Sequence, residues 1–176
     1  MTSELDWPRG IHALLRAWRA DLVSYVPDAG HARLIELCRS DGATRLVPLT
    51  TEEEGVALAA GAWLGGLRHA LLMQSSGVGN CVNMFGLLKV CQIPFLTLVT
   101  MRGDFGEFNP WQLPMGQATP AVLGSMDFVV LRADLAVDVA PMVEAGLKFA
   151  FDSGNRVAVL LGQRLVGAKD FREECE

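Results

Sequence analysis

Several features are missing from this sequence, and each absence removes a class of protein. No apolar run approaches the roughly 20 residues that cross a bilayer, so no membrane-spanning role is expected. The four cysteines, Cys38, Cys81, Cys91 and Cys175, show neither CxxC nor zinc-like spacing. That argues against a zinc site or a disulfide scaffold and fits reduced thiols in a cytoplasmic protein, with Cys81 and Cys91 as core or interface filler. The three histidines, His12, His31 and His69, do not converge, and no metal-ligand cluster or Ser/His/Asp set can be assembled around them. Surface or capping roles are expected for all three, and no metal ligand is assigned. GxGxxG and GK[ST] are both absent, which removes the dinucleotide and P-loop readings. Basic residues form no stripe interleaved with aromatics and the net charge is -5, so a nucleic-acid surface is not expected. The first residues carry Glu4 and Asp6 with no apolar core, so no secretory signal is expected.

What remains is an apolar chain of 176 residues, 51% hydrophobic and 20% charged, enough for one domain spanning 1–176. No linker, repeat or low-complexity tract interrupts it. Helical spacing of Ile11, Leu14, Leu15 and Trp18 predicts a helix over 8–20. A strand follows at 22–26, closed by the turn Pro27-Asp28-Ala29-Gly30, then a helix at 31–39 that leaves through Asp41-Gly42. Strands are predicted at 45–49, 70–74, 93–101, 128–131 and 157–161. Helices are predicted from the acidic run at 52 to Gly65-Gly66, up to Cys91, at 118–125 and at 136–151. Strands that are continuous apolar runs, alternating with helices, predict a doubly wound α/β domain: a parallel sheet with helices on both faces. Ligands of such sheets sit beyond the carboxyl ends of the strands, which nominates 50–54, 74–83 and 101–114.

The first of these opens a helix with Glu52, Glu53 and Glu54 and continues it with Ala and Gly. Thr50 or Thr51 can cap that helix, and acids in its first turn suit its dipole. The small residues behind them let another backbone or a flat ligand come close, so a carboxylate there is partly desolvated, a setting suited to proton transfer. In the second segment, Gln74-Ser75-Ser76-Gly77-Val78-Gly79-Asn80, glycines between strand and helix predict a sharp turn with free backbone N–H groups. Gln74, Ser75, Asn80 and Asn83 there offer directional contacts to a heterocycle. In the third, Arg102 ends a strand and can either clamp a doubly charged anion or pair with Asp104 or Glu107. Phe105, Phe108 and Trp111 in the same loop form a lid or an intersubunit contact.

Taken together, Pro48 to Ala57, Met73 to Asn83, Arg102-Gly103 and Pro114 to Thr119 resemble the pyrimidine-binding half of thiamine-diphosphate enzymes, in the branch of sulfopyruvate and phosphonopyruvate decarboxylases. The resemblance implies a glutamate that hydrogen-bonds N1′ of the cofactor's aminopyrimidine and assists deprotonation of thiazolium C2. Matching residues 56–61 to phosphonopyruvate decarboxylase points to Glu52, matching Gly55 to more distant members points to Glu53, and Glu52 is preferred. It further implies cofactor contacts from Thr51, Gln74, Ser75, Ser76, Gly77, Gly79, Asn80 and Asn83, and substrate contacts from Arg102 and Gln112. The family's Gly-Asp-Gly magnesium motif has no counterpart, since Gly103-Asp104-Phe105 breaks the triplet. Diphosphate and Mg2+ are therefore expected on a separate beta subunit, in a hetero-oligomer acting on a small anionic 2-oxo acid. The competing expectation is a non-catalytic α/β scaffold that kept the fold and lost the chemistry.

Overall fold

The computed structural model describes residues 6–168, so the expectations that rest on Glu4 and Cys175 fall outside it. Six strands form one sheet: β1 (Leu22–Tyr25), β2 (Arg45–Pro48), β3 (His69–Gln74), β4 (Phe95–Thr100), β5 (Val129–Ala133) and β6 (Arg156–Leu161). Their order is β2-β1-β3-β4-β6-β5 and every pairing is parallel. The doubly wound fold expected from the apolar strands is the fold observed. After β1 the chain moves outward to β2 and then returns to the other side of β1 for β3. That reversal opens a crevice at the carboxyl ends of β1 and β3.

Side chains alternate between two cores along each strand. Leu72, Leu98 and Val159 face one side, where Ile11, Leu15, Leu34 and Leu147 complete the packing. These come from α1 (Trp7–Ala17), α2 (Ala32–Ser40) and α6 (Ala136–Phe151). Leu71, Met73, Val99 and Leu160 face the other side, against Val56, Val78, Phe85 and Leu123. Those belong to α3 (Glu52–Leu64), α4 (Ser75–Val90) and α5 (Leu113–Ser125). Phe85, Phe95 and Phe128 meet there, with the Phe85 and Phe128 ring centroids 4.7 Å apart. Among the described residues no helix is long and apolar enough to cross a membrane.

Three expectations need correction, and one element goes beyond them. The Gly-rich segment at 74–80 is not a turn: α4 begins at Ser75, directly after β3, and Gly77 and Gly79 lie inside it. The helix expected at 118–125 begins five residues earlier, because Pro114 occupies its first turn, where a missing N–H costs nothing. The first helix stops at Ala17, since Arg19 takes a left-handed φ of 54°. A short helix, α7 (Gln163–Val166), follows β6 and was not foreseen.

The histidines also depart from surface roles. His31 and His69 are buried, His31 bonded through Nε2 to the carbonyls of Met73 and Leu98, and His69 through Nε2 to Ser24 Oγ at 2.7 Å. Burial holds the His69 pKa down at about 3 and lowers that of His31. His12 is half-buried and paired with Asp41. Cys81 does fill core, and burial, reinforced by Glu52 and Glu53, pushes its thiol up to about 12; Cys91 is exposed.

Candidate active site

The acidic run opens α3 with Thr51 at the N-cap position, and the three carboxylates meet different fates. Thr51 makes no side-chain capping bond; instead Glu54 reaches back and accepts from Thr50 N at 2.9 Å. Glu53 is exposed. Glu52 is buried, 8% exposed, at the seam between α3 and α4. Its Oε2 accepts from Asn80 Nδ2 at 2.8 Å, leaving Oε1 with no hydrogen-bond partner among the described residues. A Cβ on Gly77 would lie 2.5 Å from Glu52 Cδ and Oε1. The glycine expected to turn the chain thus serves a different end: it lets a helix backbone close on a carboxyl group. Gly79 does the same for Met115, whose Sδ would lie 3.1 Å from an added Cβ.

The polar residues at the end of β3 bind the crevice together. Gln74, at the N-cap position of α4, gives Nε2 to Asp28 Oδ1 at 3.1 Å and takes Ser76 Oγ at 2.9 Å. Ser75 Oγ accepts from Arg102 N at 3.1 Å. Asn83 stands exposed on α4 without joining the Glu52 pair. Asp28 was missed in the sequence, where it reads as a turn residue. Its place directly after the apolar run 22–26 was the available signal. Its Oδ2 accepts from Thr100 Oγ1 at 2.6 Å, so it ties β1 to β3 and β4.

Arg102 follows β4 and adopts the ion-pair alternative. Its Nε and Nη2 grip the two oxygens of Glu107 at 2.6 and 2.7 Å. The Glu107 side chain is 1% exposed, and the guanidinium holds its carboxyl down at about 2 while the Arg102 pKa is raised in turn. The Nε/Nη2 edge is committed to Glu107, and the Nη1/Nη2 edge, with both N–H groups of Nη1 and the second N–H of Nη2, is what Arg102 has left. Arg102, Asp28, Gly30 and Thr100 line a cavity of ≈ 230 Å³. Gln112 closes a 3-10 turn before α5, with its Oε1 buried and lacking a donor. A larger groove of ≈ 640 Å³ runs between Ser76 and Gly79 on α4 and Pro110, Trp111, Pro114 and Met115. Trp111 is 84% exposed there, and Phe105 and Phe108 are exposed nearby in sequence.

The residues present can do two things. A buried, oriented carboxyl with one unused oxygen, in a cradle a methyl group would fill, fits the ring nitrogen of an aminopyrimidine. An orphaned buried acceptor on Gln112 fits a ligand donor. Among the described residues no group of three or more His, Cys, Asp or Glu side chains is placed to hold a metal.

No family model matches the chain. Among curated proteins it is 34% identical over 142 residues to the sulfopyruvate decarboxylase subunit alpha of Methanococcus maripaludis, covering 80% of this chain and 85% of that one. It is 40% identical over 107 residues to the phosphonopyruvate decarboxylase of Streptomyces viridochromogenes, covering 60% of this chain and 27% of that one. Among solved structures, a chain of the 2-oxoglutarate:ferredoxin oxidoreductase from Magnetococcus marinus matches 91% of this chain and 29% of its own, with a TM-score of 0.75 and 18% identity. At that identity the likeness carries the fold alone.

Proposed function

The chain belongs to the family of sulfopyruvate decarboxylase alpha subunits, and from that premise we propose that it is the pyrimidine-side subunit of a thiamine-diphosphate-dependent decarboxylase. Its substrate is a 2-oxo acid with a second acidic group, sulfopyruvate or phosphonopyruvate, released as the aldehyde and CO2. Thiamine diphosphate, when bound, supplies the nucleophilic carbon and the electron sink. Glu52 holds the proton that activates it, through Oε1, while Asn80 fixes the carboxyl plane and Gly77, having no Cβ, leaves the room in which the carboxyl sits. Gln74, Ser75, Ser76, Gly79 and Thr51 frame the crevice at the strand ends. Arg102 and Gln112 meet the substrate, Arg102 through the guanidinium edge that Glu107 leaves free and Gln112 through its amide N–H, since the acid groups of the substrate only accept. Mg2+ and the diphosphate are held by a beta subunit, so the site is complete only in the hetero-oligomer. The free thiols Cys38, Cys81 and Cys91 support a cytoplasmic setting.

The observation that carries this reading is that one acid of three is buried, bonded and cradled. It is tested by measuring turnover of both oxo acids with the chain alone, with its partner, and with E52Q and E53Q in the reconstituted pair. Expected is no turnover alone, full turnover with the partner, a loss of about 10²-fold or more in E52Q, and little change in E53Q. Equal activity in both variants overturns the assignment.

A further inference from the structure

Gln163 belongs to none of the sequence motifs, yet it is 1% exposed with every polar group on its amide engaged. Its Oε1 accepts from Asp104 N at 3.2 Å and from Phe105 N at 3.0 Å. Its Nε2 donates to Glu107 Oε2 at 2.9 Å. Two backbone donors on one side and a carboxylate on the other admit only this orientation of the amide. Its backbone N also donates to Asp104 Oδ1 at 3.3 Å, and Asp104 is held from outside by Arg132. The segment 102–109 is thereby stitched to the end of β6 at both Asp104 and Glu107. Glu107 completes its shell with Arg102, Gly103 N and Asn109 N.

The consequence falls on Arg102. A free arginine loses rotamer entropy when it meets a ligand; one already fixed does not. Glu107 fixes Arg102 only as firmly as Glu107 is itself fixed, and Gln163 is the neutral donor that does so without competing for the guanidinium. We infer that Gln163 is the positioning residue of Arg102, locking the 102–109 segment so that the remaining Nη1/Nη2 edge of the guanidinium is left in one place for the second acidic group of the substrate. This rests on the reading of Arg102 given above. It also makes the segment up to Asn109 a fixed wall rather than a lid.

The assembled enzyme with Q163L and Q163E provides the test. Q163L keeps the span and loses three hydrogen bonds. KM for the doubly acidic oxo acid is expected to rise about tenfold, with kcat within about twofold and the inhibition constant of plain pyruvate unchanged. Q163E sets a second carboxyl against Glu107, and two such groups share a proton at low pH. Its KM is expected near the wild-type value in acid and raised at neutral pH, a profile that a purely structural role would not produce. Trypsin is expected to cut after Arg102 faster in Q163L than in the wild type. Wild-type KM values together with wild-type protection of that bond overturn the inference, as does an equal loss toward both acids. If the wild-type assembly turns over neither oxo acid, the decarboxylase reading falls, and the trypsin comparison alone decides whether Gln163 fixes Arg102.

Discussion

Gly77 and Glu52 touch across the seam of two helices so closely that a Cβ on residue 77 would lie 2.5 Å from the glutamate's carboxyl carbon. The clash in G77A is with the end of a flexible side chain, so the backbone need not move. Alanine also gains about 1 kcal/mol of helix propensity over glycine. G77A is therefore expected to melt within about 1 kcal/mol of the wild type while losing about 10²-fold in turnover, because the carboxyl is displaced from its working position. Melting curves and kinetics on one preparation check both halves. A destabilised but fully active G77A contradicts the role of the cradle.

Asn80, one turn along α4 from Gly77, holds the same carboxyl by a single amide bond at 2.8 Å. Losing it leaves Glu52 in its cradle with more freedom. N80A is expected to lose up to about tenfold in kcat, a smaller deficit than G77A, since one hydrogen bond is worth about 0.5–1.5 kcal/mol. The double variant G77A/N80A should fall little below G77A alone, because both act through one side chain. Steady-state kinetics of the three proteins give the coupling directly.

The fold was legible because its central strands are runs of mostly apolar residues, buried on both faces, that alternate with helices. That an acid at 52 or 53 would be partly desolvated was legible, but not which of the two. Choosing between Glu52 and Glu53 needs the rotation of α3 about its axis, which the helix across the seam sets. The glycines at 77 and 79 lie inside a helix rather than a turn: sequence shows that a backbone must come close or turn, not which. Asp28 and Gln163 were invisible as site residues, since each gains its meaning from partners 46 and 56 residues away. Glu107 was visible only as one of two acids able to pair with Arg102; its burial made it the one.

His69 gives the fold a pH dependence of known sign. Its pKa is about 3 folded, against 6.5 for a histidine free in solution, so the unfolded chain binds more protons between those limits. Stability is thus fully present above pH 6.5 and falls as the pH drops toward 3. The slope from one fully buried histidine approaches about 1.4 kcal/mol per pH unit, and His31, shifted the same way, adds to it. H69Q keeps a partner for Ser24 Oγ and removes the titration. Denaturant unfolding at pH 7, 6 and 5 is expected to show a shallower decline in H69Q than in the wild type.

Gly116 and Gly86 are both helical, and the structure assigns their alanine variants opposite signs. On Gly116, in the first turns of α5, an added Cβ would collide with the carbonyl oxygen of Arg102 and reach 3.0 Å from Gly103 Cα. Backbone cannot yield as a side chain can, so G116A must push α5 away from the segment that carries Arg102. A loss of about 3 kcal/mol or more, or failure to accumulate, is expected. On Gly86, in α4, a Cβ would meet nothing within 4 Å, so G86A should gain about 1 kcal/mol in the isolated chain. The same substitution also reports on the hetero-oligomer. If the beta subunit packs on that part of α4, G86A will weaken assembly while stabilising the chain, and titrating the partner against each variant separates the two effects.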